Sequence, residues 1–221
     1  MSLIQRSWIN IDCNHLAQYD NKLCQHLIIY PKEVIPAMDF AADELYRYTY
    51  RVNSDPIQTR PYNCEKSRNL RNLNPEDLDQ LVTVNGLVIR LSTIIPEMTK
   101  AHFMCTVCNQ TTKVPSERGR IIEPENCNNC HAIHTQQLKH NLSEFNDKQM
   151  VKIQESPDDM PAGETPHTVT MYCHQDLVDT VQPGDRVIVT GIYRSASQRE
   201  STMQRVIKSV FNTYLDVLHF Q

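Results

Sequence analysis

The sequence predicts an α+β chain of several subdomains: an amino-terminal helical bundle, a small bent all-β unit, and a four-cysteine module inserted into that unit. Three observations lead there. Leu16, Tyr19, Leu23, Leu27 and Tyr30 recur at three- and four-residue intervals, the period of one helix face. Downstream, runs such as Val82-Thr83-Val84 and Val187-Ile188-Val189 replace that period with β-rich segments. Between the first and the second such segment stand Cys105-Thr106-Val107-Cys108 and Cys127-Asn128-Asn129-Cys130, eighteen residues apart.

Composition bounds the function. The chain has 221 residues, with 22 Lys plus Arg against 26 Asp plus Glu and a formal charge of −4, which excludes a histone-like or strongly basic protein. A chain of this size buries about 70% of its unfolded surface, so no metal is needed merely to build a core. Its apolar stretches, Leu27-Ile28-Ile29-Tyr30 among them, fall far short of the ~20 residues that cross a bilayer, and its first residues lack signal-peptide architecture. The expected setting is inside the cell, with no membrane partner.

Taken in order, residues 12–30 read as one helix ended by Pro31, and residues 36–50 as a second with Pro36 in its first turn and Met38, Ala41, Ala42, Leu45 and Thr49 along one side. Residues 51–60 hold Asn53, Ser54, Asp55 and Pro56 and read as a turn or linker. Asn74-Pro75-Glu76-Asp77 has the cap, proline and acidic first turn of a short helix reaching about Gln80. Strands follow at residues 82–91, with Gly86 as a bulge or bend, then at 148–154, 168–173, 186–194 and 205–215. Five bent strands with an insertion predict an OB-type barrel, a fold that commonly takes single-stranded nucleic acid. The divisions expected are residues 1–72 for the helical bundle and linker, 73–100 for the start of the OB-fold, 101–142 for the zinc-binding insertion and 143–221 for the rest of the barrel.

The cysteine spacing is that of a four-thiolate zinc site: each C-x2-C forms a knuckle that aims two sulfurs at one ion. Cys105, Cys108, Cys127 and Cys130 are the expected ligands of one structural Zn2+, since four thiolates leave no open position for a catalytic water. His131 and His134 flank the second knuckle as surface or supporting groups. The H-x-E and P-C-x-x-C pattern of zinc deaminases is absent. Cys13, Cys24, Cys64 and Cys173 read as buried small residues rather than nucleophiles.

Charge is uneven. Between Arg186 and Lys208 stand five basic residues, Arg186, Arg194, Arg199, Arg205 and Lys208, and one acidic, Glu200, a local +4 within a chain of net −4. Residues 191–194 and 205–208 read as the arms of a β-hairpin with a polar tip at 195–204. Such a hairpin can set cations against phosphates, an attraction that is sequence-independent and weakens with salt.

Several long stretches carry a resemblance: Arg71-Asn72-Leu73-Asn74-Pro75-Glu76-Asp77-Leu78, Gly86-Leu87-Val88-Ile89-Arg90, Ile95-Pro96-Glu97-Met98, Gln154-Glu155-Ser156-Pro157-Asp158-Asp159-Met160-Pro161-Ala162-Gly163-Glu164 and Val181-Gln182-Pro183-Gly184-Asp185-Arg186-Val187. Together they resemble the amino-terminal region of minichromosome maintenance (MCM) proteins, closest to the subunit-four type of the eukaryotic replicative helicase. The resemblance implies a helical bundle, a zinc module used in contacts between hexameric rings, and an OB barrel lining a central channel. It implies that Arg90 and Lys152 bind single-stranded DNA, that a channel hairpin over about residues 190–209 offers Arg194, Arg199, Arg205 and Lys208, and that residues 154–166 form a loop communicating with a motor domain. It further implies a nuclear location, a heterohexamer and double hexamer of MCM subunits, and duplex DNA within the loaded ring. No G-x-x-x-x-G-K-[ST] motif occurs in these residues, so the family's ATPase motor is expected beyond Gln221, and this stretch is expected to be non-catalytic. A zinc-ribbon interaction scaffold without DNA binding and a hydrolytic zinc enzyme are the competing readings.

Overall fold

The computed structural model describes residues 8–50, 57–64, 67–116, 121–161, 163–196 and 209–221. The chain splits into two compact units, Met1–Ser92 with Met150–Gln221, and Thr93–Gln149. In chain order the elements are β1 (Trp8–Asp12), α1 (Cys13–Tyr19), α2 (Asn21–Ile29), α3 (Pro31–Tyr50), β2 (Gln58–Tyr62), β3 (Ser67–Arg68), β4 (Leu81–Leu91), β5 (Ile95–Cys105), β6 (Thr111–Pro115), β7 (Gln136–Leu138), β8 (Glu144–Gln154), β9 (Thr168–His174), β10 (Arg186–Ala196) and β11 (Asn212–Phe220).

The helix expected over residues 12–30 is two helices. Asp20 interrupts it: its backbone is extended, its N–H closes α1 on the Leu16 carbonyl, and its carboxylate accepts from the Lys22 and Leu23 amides at the start of α2. An aspartate inside an apolar stripe thus ends one helix and caps the next. The second expected helix begins five residues early. Pro31 opens α3, where its missing N–H costs nothing, and Pro36 sits inside. The expected short helix at residues 74–80 is a single 3-10 turn, Pro75–Asp77, whose Asp77 carboxylate accepts from the Asn74 amide.

The linker expected over residues 51–60 hides a strand. Gln58–Tyr62 pairs in parallel with Trp8–Asp12, and Arg60 is buried there against the Trp8 ring and Asp176. Residues 51–56 lie outside the described residues. Cys13, Cys24, Leu27, Ile28, Cys64, Leu81 and Ile192 form a core in which the helices meet β4 and β10.

In the same unit, successive strand pairings run β4, β10, β11, β9, β8 and return from β8 to β4, while β3 extends the sheet from β4. Alternate residues point inward, as the two-residue period of a strand requires: Val82, Val84 and Val88 from β4, Val151 and Ile153 from β8, Met171 and Cys173 from β9, Val187 and Val189 from β10, Leu215 and Val217 from β11. Gly191 allows β11 to approach, because a Cβ there would lie 2.5 Å from the Asp216 carbonyl oxygen. Leu218 of β11 is an extra residue in the pairing with β10, and it packs instead on the helical core. The strand expected at residues 205–215 is displaced to Asn212–Phe220. Gly191–Ala196 pairs with residues 212–217, which takes the place of the expected arm at 205–208; residues 197–208 lie outside the described residues.

The second unit is built on β5. Its first half pairs with residues 144–148 of β8, and its second half lies between β6 and β7. No helix among the described residues is long and apolar enough to cross a membrane.

Between β8 and β9 the chain is held at both ends by Arg71. Its guanidinium donates to both carboxylate oxygens of Glu155 at 2.9 Å and to the Thr165 carbonyl, and it pairs with Glu164. Glu155 is 2% exposed, so the pairing with Arg71 offsets the cost of burying it. Arg71→Ala is expected to lower unfolding stability by about 3 kcal/mol and to speed amide exchange in the described residues of 155–167. Urea denaturation with hydrogen exchange checks this, and unchanged values in both would contradict the clamp.

Candidate metal centre and nucleic-acid face

Each cysteine knuckle is made by its own backbone. Asn109 N–H donates to the Cys105 carbonyl, and four residues after Cys127 the His131 N–H does the same to the Cys127 carbonyl, both at 3.0 Å. The next residue in each completes the turn, since the Cys105 and Cys127 amides donate to the carbonyls of Gln110 and Ala132. Asn109 and His131 take positive φ, 56° and 54°, a conformation that asparagine tolerates well and histidine less often. His131 and His134, both exposed, therefore have a local reason to be present, as residues in left-handed turns.

The two knuckles converge. All four sulfurs lie within 4.8 Å of one another, with Cys105 Sγ 3.6 Å from Cys130 Sγ and Cys108 Sγ 3.5 Å from Cys127 Sγ. A tetrahedron of thiolates with metal–sulfur bonds of about 2.3 Å has sulfur–sulfur edges of about 3.8 Å, so these residues fit one tetrahedral ion. No histidine belongs to the group among the described residues. The Thr135 hydroxyl and then the Cys108 amide pull the Cys105 thiol down to about 6, and the Cys130 and Asn129 amides lower Cys127. These four donors favour, at Cys105 and Cys127, the thiolate that a metal requires.

The cationic candidates part company. Arg90 and Lys152 are directly opposite each other in the ladder of β4 and β8, on the outward face. They meet there because of one extra residue. Val88 pairs with Ile153 and Arg90 with Lys152, so Ile89 has no partner. Without it, two-residue alternation would place Arg90 opposite buried Val151. The bulge is thus at Ile89 rather than at Gly86. Gly86 serves close approach, since a Cβ there would lie 2.9 Å from the Gln154 carbonyl oxygen. Among the described residues neither Arg90 nor Lys152 has a carboxylate partner. Arg194 instead pairs with Asp216 at 3.3 Å, and His174 lies 3.4 Å from that same carboxylate. Arg186 pairs with Asp158 at 2.7 Å. Arg199, Arg205 and Lys208 lie outside the described residues.

Sequence reasoning missed the bulge, although its signal is present. Val84, Gly86 and Val88 set the inward parity, and continuing it would bury the charge of Arg90. A strand avoids that conflict by inserting one residue.

A mixed sheet of OB type and a four-cysteine cluster define the class of fold, and comparison with known proteins gives the family. Residues 69–197 match the MCM OB domain and residues 1–65 the MCM N-terminal domain. The chain belongs to the MCM family. It is 52% identical over its whole length to DNA replication licensing factor mcm4-A of Xenopus laevis and 50% identical over 99% of its length to DNA replication licensing factor MCM4 of Drosophila melanogaster. It is also 28% identical over 97% of its length to licensing factor mcm5-B of Xenopus laevis. It spans 26% of the mcm4-A protein, 25% of the Drosophila protein and 32% of mcm5-B.

Cys127→Ser is expected to abolish metal retention and to raise amide exchange across the described residues of 105–138, while α1, α2 and α3 keep their protection, because thiolate ligation and local folding are coupled. Metal analysis combined with hydrogen exchange checks this, and retained protection at 105–138 would contradict it.

Proposed function

We propose that this chain is the DNA-gripping, ring-organising part of an MCM4-type subunit of the replicative helicase, acting in the licensing of DNA replication in the nucleus. The strand circuit of β4, β10, β11, β9 and β8 is read as a five-stranded OB barrel, and α1, α2 and α3 as the helical bundle. The four cysteines hold one structural zinc ion, whose role is to keep the two knuckles closed so that the module keeps its shape. That module contacts other MCM subunits within a heterohexamer and between the rings of a double hexamer. ATP hydrolysis belongs to the part of the relatives that this chain does not span.

The observation that carries the DNA reading is the juxtaposition of Arg90 and Lys152. Like charges directly across a ladder repel, and such a pair is destabilising where nothing compensates it. A phosphate between or above them supplies the missing charge. Their attraction for a strand is electrostatic and independent of sequence, as a ring that travels along DNA requires. Arg194 is less available because Asp216 neutralises it, so its contact with DNA requires that ion pair to open. Arg199, Arg205 and Lys208, outside the described residues, are read as further phosphate contacts.

The test is the salt dependence of affinity for a single-stranded oligonucleotide. Each phosphate neutralised contributes about 0.7 to the slope of log affinity against log salt, so removing both charges by Arg90→Gln with Lys152→Gln is expected to flatten it by about 1.4 and weaken binding. An unaltered slope contradicts these contacts. Absence of salt-dependent binding in the unsubstituted chain favours an interaction scaffold.

A further inference from the structure

Two buried thiols that the reading above leaves unused face each other where the helices begin. Cys13, the first residue of α1, is 2% exposed, and Cys64, two residues past β2, is 6% exposed. The parallel ladder of β1 and β2 ends at Asp12 and Tyr62. From there one further residue on one strand and two on the other bring the sulfurs 3.2 Å apart. A disulfide needs a separation of about 2.05 Å, so the sulfurs must close by only about 1.2 Å. The neighbouring thiols are otherwise engaged. Cys24 points its thiol at the Cys13 carbonyl, 3.7 Å away, and Cys173 belongs to the core between the sheet strands.

The pair is chemically unequal. The two sulfurs share a hydrogen bond that either thiol can donate; with Cys13 as donor and the Thr83 hydroxyl as a second, Cys64 ionises more readily than an ordinary thiol. Cys13, holding the shared proton and buried, ionises less readily. The Thr83 hydroxyl, beside Cys64, favours Cys64 as the attacking sulfur.

We propose that Cys13 and Cys64 are an oxidisable thiol pair that closes to a disulfide under hydrogen peroxide. The Cys64 thiolate attacks one peroxide oxygen. The O–O bond breaks, and hydroxide leaves, taking up the proton that Cys64 gave up to become water, with Cys64 left as a sulfenic acid. The Cys13 sulfur then attacks the Cys64 sulfur, the S–O bond breaks, and hydroxide leaves with the Cys13 proton as a second water. Two thiols are oxidised and one peroxide is reduced. The bond ties the start of α1 to the end of β2 and encloses all three helices in one covalent loop, which restricts their unfolding. It does not involve the metal-binding cysteines.

The experiment exposes the reduced chain to hydrogen peroxide, alkylates it under denaturing conditions with a chelator, and maps unreduced peptides by mass spectrometry. The expected result is a linked Cys13–Cys64 peptide, a fall from eight free thiols to six, unchanged metal content before chelation, and slower exchange in α1. Cys24→Ala is expected to keep the link and Cys64→Ala to lose it. Should Cys64→Ala fail to fold, the peptide map of the unsubstituted chain decides alone. A link from Cys13 to Cys24, eight thiols remaining, or metal loss while Cys13 and Cys64 stay reduced would each overturn the proposal.

Discussion

One unpaired residue sets the outward face of the sheet. The pleat of β4 assigns even-numbered positions from Val82 to Val88 to the interior, and Arg90 continues that parity. Ile89 breaks it by having no partner across the ladder, which turns Arg90 outward to stand opposite Lys152. The gain is an exposed guanidinium in place of a buried one. The cost is a like-charge contact, a few tenths to about 1 kcal/mol for a directly opposed pair. Folding alone gives no reason to keep so close two cations that have no carboxylate partner among the described residues. The proposed DNA strand, with negative charge along an extended backbone, supplies one.

The metal module obeys a different constraint. Few of its apolar residues are buried: Ala101, Phe103, Cys105 and Cys127 are, while Val107, Ile122, Ile133, Leu142 and Phe145 are exposed. Hydrophobic burial is a weak source of order in such a unit, and the four cysteines lie close enough together that they could hold one metal ion in its place. The backbone around each knuckle is already organised for that role. Matching hydrogen bonds fold both turns, the Thr135 hydroxyl with the Cys108 amide lowers the thiol of Cys105, and amides lower that of Cys127. Chemistry that needs four ligands at one point imposes short, repeated spacing on the sequence, which explains why this site was readable from residue order alone.

Elsewhere legibility followed the range of the interaction responsible. Strands β4, β8, β9 and β10 were visible because alternation and β-branched content are local properties, and the burial of Cys13, Cys24, Cys64 and Cys173 agreed with their composition-based reading. Helix ends were misjudged where a side chain's role depended on geometry rather than type: Asp20 caps, and Pro36 is accommodated inside α3. The pairing of β1 with β2 could not be read from Gln58-Thr59-Arg60-Pro61-Tyr62, a polar stretch containing proline whose strand character comes from a partner some fifty residues away. The position of β11 was missed for a similar reason. Its register is decided by Gly191 and the Leu218 bulge, both features of the partner's approach.

The proposed function joins an electrostatic conflict on the sheet to an anionic strand that relieves it. It is tested most directly by the urea midpoint of Lys152→Gln, measured with and without a single-stranded oligonucleotide. The account predicts that the substitution leaves the free chain as stable or slightly more stable, because repulsion with Arg90 is gone, while most of the oligonucleotide-induced rise in midpoint disappears. A less stable free chain whose midpoint still rises fully with the oligonucleotide would contradict it.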